Sequence, residues 1–201
     1  MTDILAISAG LSQPSSTRLL ADRLATATRG ELGGEAAIEV VELRDYAHDI
    51  TDHLLTGFAD RRLQQVLDRL DAAAGLILVS PTFSASYSGL FKSFMDVVDP
   101  ESMRDKPVLL GATGGTERHS LVLEHALRPL LAYLRAQAVP TAVFAASADW
   151  GGDTDLNRRI ARAAGELAAA VRGRPARPHT ESDSFTDPVP FEQLLHGGGP
   201  H

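Results

Sequence analysis

Apolar residues recur along this chain with two different periods. Five short runs, residues 4–8, 38–43, 75–80, 107–111 and 141–145, are apolar at nearly every position. That is the signature of parallel strands covered on both faces, since a half-exposed strand would alternate. Between these runs the spacing changes to i, i+3, i+4 and i+7. Residues 16–27 place Leu19, Leu20, Leu24 and Ala27 on one stripe. Residues 59–74 do the same with Leu63, Val66, Leu67, Leu70 and Ala74, with Asp60, Arg61, Gln65 and Asp68 opposite. Residues 119–137 offer Leu123, Leu127, Leu130 and Leu134, and residues 153–172 offer Leu156, Ile160, Ala163, Leu167 and Val171. Strand and helix alternate five times. The expected class is therefore α/β, a doubly wound five-stranded parallel sheet in the order 2-1-3-4-5 with helices on both faces.

The pattern ends near residue 173. Residues 1–172 read as one domain, and residues 173–201 as an extended tail whose proline density and lack of period argue against packing. Phe191, Leu194 and Leu195 would make at most one docking turn there. The length of 201 residues fits one domain with a tail, and a hydrophobic fraction of 44% supplies a core. Cysteine is absent, which excludes disulfides, thiol nucleophiles and thiolate metal sites and makes a reducing compartment the default. A formal charge of −7 without a basic cluster argues against a nucleic-acid surface. No apolar run approaches the roughly 18 to 20 residues of a membrane span. The start Met1-Thr-Asp-Ile-Leu has no basic region of a signal peptide. A cytoplasmic protein is expected, with no membrane contact.

Three connections at one end of the expected sheet are rich in small and hydroxylated residues. The first, Ser8-Ala-Gly10-Leu-Ser-Gln-Pro-Ser15-Ser16-Thr17, leads onto a helix. Free amides at a helix N-terminus favour an anion, and three adjacent hydroxyls add donors without bulk; Arg18 follows them. Helix capping by Ser15 or Ser16 is the competing reading. The second, Pro81-Thr82-Phe83-Ser84-Ala85-Ser-Tyr-Ser88, carries amides, hydroxyls and one aromatic ring, but no acid, base or nucleophile. The third, Thr113-Gly114-Gly115-Thr116, allows close backbone approach to a planar ligand or forms a tight turn. In open α/β sheets ligands bind at this edge. The three loops describe a site for a flat ligand carrying a phosphate. Neither the G-x-G-x-x-G of a dinucleotide fold nor a G-x-x-x-x-G-K-[ST] motif is present.

These residues resemble the NADPH-dependent FMN reductase family, flavodoxin-like flavoproteins. The resemblance rests on Gly10-Leu-Ser-x-Pro-Ser-Ser-Thr-Arg-Leu-Leu20, on Pro81-Thr-x-x-x-x-Tyr-Ser-Gly-Leu-Phe-Lys-x-x-x-Asp96, and on Thr113-Gly-Gly-Thr-x-x-His-Ser-Leu121 with Ala126-Leu-Arg-Pro-Leu130. It spans residues 1 to about 172 and is strongest with the branch that supplies reduced flavin to luciferase-like monooxygenases. It implies that Ser15, Ser16 and Thr17 hold the FMN phosphate, that Pro81, Thr82, Phe83, Ser84 and Ala85 line the isoalloxazine edge, and that Thr113, Gly114, Gly115 and Thr116 close over its pyrimidine end. Ser8 and Gly10 complete the expected cofactor set. It further implies a homodimer or homotetramer and a flavin monooxygenase as recipient.

Hydride transfer from a nicotinamide to FMN needs no protein acid or base, because the cofactor carries the chemistry. No catalytic side chain is therefore expected. NADPH or NADH serves as co-substrate, with Arg18 and Arg118 both open as partners for a 2′-phosphate. The alternatives are an FMN-bound quinone or azo reductase and a flavodoxin-type electron carrier without enzymatic activity. Residues 48–53, His-Asp-Ile-Thr-Asp-His, read as a loop without a third ligand pattern, so no metal is expected. Pro129 lies inside the helix expected over 119–137 and cannot donate to the His125 carbonyl, so the helix should kink or widen around 125–129. Relatives linked to sulfonate metabolism often carry a tyrosine near this position in a π-bulge; His125 stands here, which leaves the bulge open. Part of this helix, together with residues 91–98 and including Phe91, Phe94 and Leu127, is read as packing against a second subunit beside the flavin.

Overall fold

The computed structural model describes residues 3–34, 36–151 and 155–173. The five apolar runs form a parallel sheet. Strands β1 (Asp3–Ser8), β2 (Ala37–Glu42), β3 (Gly75–Phe83), β5 (Pro107–Gly114) and β7 (Val143–Ala146) lie in the order β2-β1-β3-β5-β7, which is the expected 2-1-3-4-5 arrangement of a flavodoxin-like fold. Two short strands are additions that the sequence did not announce. β4 (Ser86–Tyr87) folds back antiparallel on the end of β3. β6 (Gln137–Ala138) pairs with the start of β5, while β7 pairs with its end. The fifth position of the sheet is thus filled by two pieces. They are separated at Pro140, which has no N–H to donate to a ladder.

Helices cover both faces. α1 (Ser16–Glu31) and α7 (Asp155–Arg172) pack on one side, burying Leu20, Leu24, Leu156, Ile160 and Leu167 against Ile4, Ala6, Ile77, Val79 and Leu109. α2 (Ala47–Thr56), α3 (Arg61–Ala72), α4 (Gly89–Val97), α5 (Pro100–Met103) and α6 (Arg128–Tyr133) lie on the other. There Leu63, Val66, Leu70, Phe91 and Phe94 meet Leu5, Ile7, Leu76, Leu78 and Leu110. Asp60 stops α3 from starting earlier by accepting the Leu63 amide at 2.8 Å. No helix among the described residues is long and apolar enough to cross a membrane. The tail from residue 174, and the first two residues of the helix expected over 153–172, lie outside the described residues.

Three sequence expectations are corrected. Residues 48–53 belong to α2, not to a loop; only Ile50 of that helix is buried, so there was no stripe to read. The single helix expected over 119–137 is a composite: a 3-10 turn (Glu117–His119), a π segment (Leu123–Leu127) and α6, with Gln137 already in β6. In the π segment the Arg128 amide donates to Leu123 O, five residues back. The helix thus widens where Pro129 removes a donor, and the bulge is present with histidine at 125. Finally, Phe91, Phe94 and Leu127 are each 0% exposed and belong to the chain's own core, so they do not face a second subunit.

One buried charge supports the helical face. Lys106 is 1% exposed, and its Nζ donates to Leu70 O and, at 2.7 Å, to Asp71 O, the carbonyls at the C-terminal end of α3. Lys106→Met keeps the stem and strands those acceptors. It should lower unfolding free energy by about 1–3 kcal/mol in a urea titration; an unchanged midpoint and slope would show that the lysine is dispensable.

Candidate functional site

The connections after β1, β3 and β5 leave the same edge of the sheet. Ser8 pairs with Val79, Val79 with Gly111, and Pro81 with Thr113. The ends of three adjacent strands are therefore brought side by side.

The first connection is organised around the start of α1. Ser15 caps the helix, its Oγ accepting the Arg18 amide at 3.2 Å, while Ser16 is exposed beside the free first-turn amides. Thr17 turns the other way: it is 2% exposed, and its hydroxyl lies 2.8 Å from that of Thr113, itself 3% exposed. This pair bridges the first and third connections. Two hydroxyls hold two protons, and only one is used between them, so the pair retains one further donor. Gly10 is required by geometry, since a Cβ there would fall 2.1 Å from Ser15 Oγ. Arg18 is engaged elsewhere, at 2.9 Å from Asp22 and 3.1 Å from Glu42. Partial burial would lower its pKa, but the Asp22 and Glu42 carboxylates outweigh that and raise it.

The second connection is more ordered than a loop. β3 continues through Pro81 and Thr82 to Phe83, and Thr82 pairs with Tyr87 and Phe83 with Ser86. The two residues between them, Ser84 and Ala85, have φ of 48° and 64°. A two-residue hairpin turn with both φ values positive is normally built from Asn-Gly, because a Cβ costs about 1–2 kcal/mol in this region. Phe83 is 46% exposed at the lip of the turn. Ser80 and Ser88, which the sequence reading did not single out, close the base of this hairpin through a hydrogen bond. A serine at a strand end carries no pattern that would have marked it.

In the third connection the two glycines differ. A Cβ on Gly114 would meet the Phe144 ring at 2.9 Å, so this glycine serves packing. Gly115 has open space where its Cβ would be, and Thr116, Arg118 and His119 beyond it are exposed. Arg118 makes no ion pair among the described residues.

The edge leaves buried polar groups unpaired. Ser8 Oγ and Thr82 Oγ1 are buried side-chain atoms with no hydrogen-bond partner among the described residues, and such groups ordinarily find one. With the open first turn of α1, they are the kind of hydrogen-bonding groups that a phosphate-bearing planar molecule such as FMN would use. No cluster of three or more metal-ligating side chains occurs among the described residues.

A family model described as NADPH-dependent FMN reductase matches residues 2–151. The chain is 40% identical over 177 residues to an FMN reductase (NADPH) of Pseudomonas aeruginosa, covering 85% of this chain and 93% of that protein. It is 36% identical over 181 residues to the NADH-dependent FMN reductase SfnF of Pseudomonas fluorescens, covering 87% and 94%. The X-ray structure of an oxidoreductase from Corynebacterium diphtheriae superposes with a TM-score of 0.84 at 42% identity, covering 87% of this chain and 99% of that one. The chain belongs to the NADPH-dependent FMN reductase family.

Proposed function

We propose that this enzyme is an NAD(P)H-dependent FMN reductase and that its flavin site is the edge formed by the connections after β1, β3 and β5. The observation that carries the assignment is the open first turn of α1, where Ser15 caps and Ser16 is exposed, at the edge where the Ser8 and Thr82 hydroxyls have no hydrogen-bond partner among the described residues. FMN, when bound, supplies the two-electron chemistry. The chain's own residues bind and orient. Ser15, Ser16 and the amides at the start of α1 would hold the phosphate, with the Thr17–Thr113 pair beneath them fixing the first connection to the third. Pro81, Thr82, Phe83, Ser84 and Ala85 would line one edge of the ring, and Gly114, Gly115 and Thr116 the other. No protein proton donor is needed, and none stands in these loops apart from hydroxyls and the exposed His119.

Family names cover both NADPH and NADH as donors. Arg18 is spent on Asp22 and Glu42, so Arg118 is the residue for a 2′-phosphate. The resemblance to the branch that supplies luciferase-like monooxygenases supports such an enzyme as recipient of the reduced flavin. NAD(P)H as co-substrate and the cysteine-free composition support a cytoplasmic location. A homodimer or homotetramer is supported by Leu121 and Tyr133, which leave 61% and 83% of their surface exposed along the segment that ends in α6.

Purified protein should oxidise NAD(P)H steadily with added FMN, and EDTA should leave the rate unchanged. Activity that vanished on chelation and returned with a divalent ion would overturn this reading. In the same assay Arg118→Ala should raise KM for NADPH by roughly fivefold, the scale of one exposed ion pair, and leave KM for NADH alone; equal effects on both would remove Arg118 from specificity.

Gly10→Ala pushes Ser15 off its cap and should weaken FMN binding by about tenfold, near 1.4 kcal/mol, while riboflavin, which has no phosphate, binds as before. Fluorescence titration with the two flavins reads this directly, and a parallel loss of riboflavin would move the phosphate elsewhere.

Sedimentation should show an assembly larger than the 21.4 kDa chain. Tyr133→Asp alters an exposed position without touching the core and should shift that assembly toward monomer. A native protein that sediments as a monomer at micromolar concentration would dismiss the interface.

A further inference from the structure

The two ends of the β3–α4 connection meet at one buried hydroxyl. Ser80 is 1% exposed and follows Leu76 and Leu78 on the strand face that packs against α4. Its Oγ donates to the Pro81 carbonyl at 2.9 Å and accepts the Ser88 amide at 2.9 Å. The single hydroxyl proton and an acceptor lone pair are both in use. Ser88, also 1% exposed, accepts the Phe91 amide on its own Oγ at 3.2 Å and so caps α4. A chain of two side-chain hydroxyls thus joins the end of β3, the return of the hairpin and the first turn of α4.

The hairpin needs outside support. It has two residue pairs, Thr82 with Tyr87 and Phe83 with Ser86, and its turn holds Ser84 and Ala85 at φ of 48° and 64°. A hairpin this short is marginal by itself, and left-handed backbone is unfavourable for residues with a Cβ. The Tyr87 and Phe91 rings lie 5.7 Å apart and contribute apolar contact. Such contact sets no backbone register, whereas the bond from the Ser88 amide to Ser80 Oγ does.

We infer that Ser80 is a positioning residue for flavin recognition: by tying Pro81 to Ser88 it fixes the conformer in which the 81–87 hairpin presents Phe83 and its amides to the ring. This rests on the FMN reading of the site. Ser80 acts through the backbone of its neighbours and stands on the opposite side of β3 from α1, away from the phosphate cradle.

The test is a flavin titration of the full-length protein with FMN and riboflavin as the two probes, on the native chain and on Ser80→Ala, Ser80→Cys and Ser80→Thr. Ser80→Ala should raise both dissociation constants by the same factor, roughly tenfold, the scale of one buried hydrogen bond. Ser80→Cys keeps the volume with a weaker hydrogen-bonding group and should show the same parallel loss, so the test survives if the alanine variant does not fold. Ser80→Thr restores the hydroxyl and should bind both flavins within about twofold of native. The inference is overturned if Ser80→Ala and Ser80→Cys bind as native, if they lose FMN but keep riboflavin, or if Ser80→Thr is as impaired as they are. A native chain that binds neither flavin would instead remove the flavin reading on which the inference stands.

Discussion

A parallel sheet covered on both faces has its backbone groups paired internally, so the only place left for it to meet a ligand is the end of its strands. In this chain the covered strands are dry: Ile77, Leu78 and Val79 of β3 and Val108 and Leu109 of β5 are each 0% exposed. Every polar group that a ligand could use is pushed to the connections. Because β1, β3 and β5 are neighbours in register, three such connections end together. Hydroxyls then fix them in place. Thr17 and Thr113 join the first to the third at 2.8 Å, and Ser80 and Ser88 close the second at 2.9 Å. The nearest cation in the first connection, Arg18, is bound to two carboxylates. In the flavin site proposed here, the phosphate would therefore be held by amide dipoles and hydroxyls at the start of α1, without an ion pair that release would have to break.

The strands and the helices of the α1–α7 face were legible because continuous apolar runs and wide stripes leave little freedom of interpretation. The elements that escaped were those whose signal is weak for a physical reason. α2 buries Ile50 alone and ends at Gly57, whose φ of 79° supplies the left-handed stop. Residues 119–137 carried leucines at regular α spacing, yet the extra residue of the π segment rotates the stripe. The buried set is Leu123, Leu127, Leu131 and Leu134, while Leu130 is only half-buried. Leu127 stays on the buried stripe at 0% exposure, so its apolar character serves the chain's own core and not the subunit contact the sequence suggested.

At the site, sequence could name the loops but not divide the labour within them. Ser15, Ser16 and Thr17 look equivalent as letters. The helix start separates them into a cap, an exposed hydroxyl and a buried strut. Gly114 and Gly115 are likewise a pair in sequence, and only the Phe144 ring behind Gly114 distinguishes packing from access. Neither Ser84 nor Ala85 predicts positive φ, since the turn is imposed by what surrounds it and not by its own residues.

Two of the large apolar side chains that remain exposed lie on these connections: Leu11 at 51% and Phe83 at 46%. For a planar aromatic ligand, contact with such groups supplies binding strength, while directional hydrogen bonds supply orientation. The two contributions are coupled through the hairpin. Phe83 is exposed only because the turn at Ser84 and Ala85 carries it past the end of the sheet, and that turn runs against the preference of its own residues. An aromatic group held out in water by a backbone conformation that is itself unfavourable would collapse if nothing restrained it. The restraint is polar and lies underneath, at Ser80 and Ser88, so the apolar surface that the proposed site would offer a flavin depends on hydroxyls that never reach it.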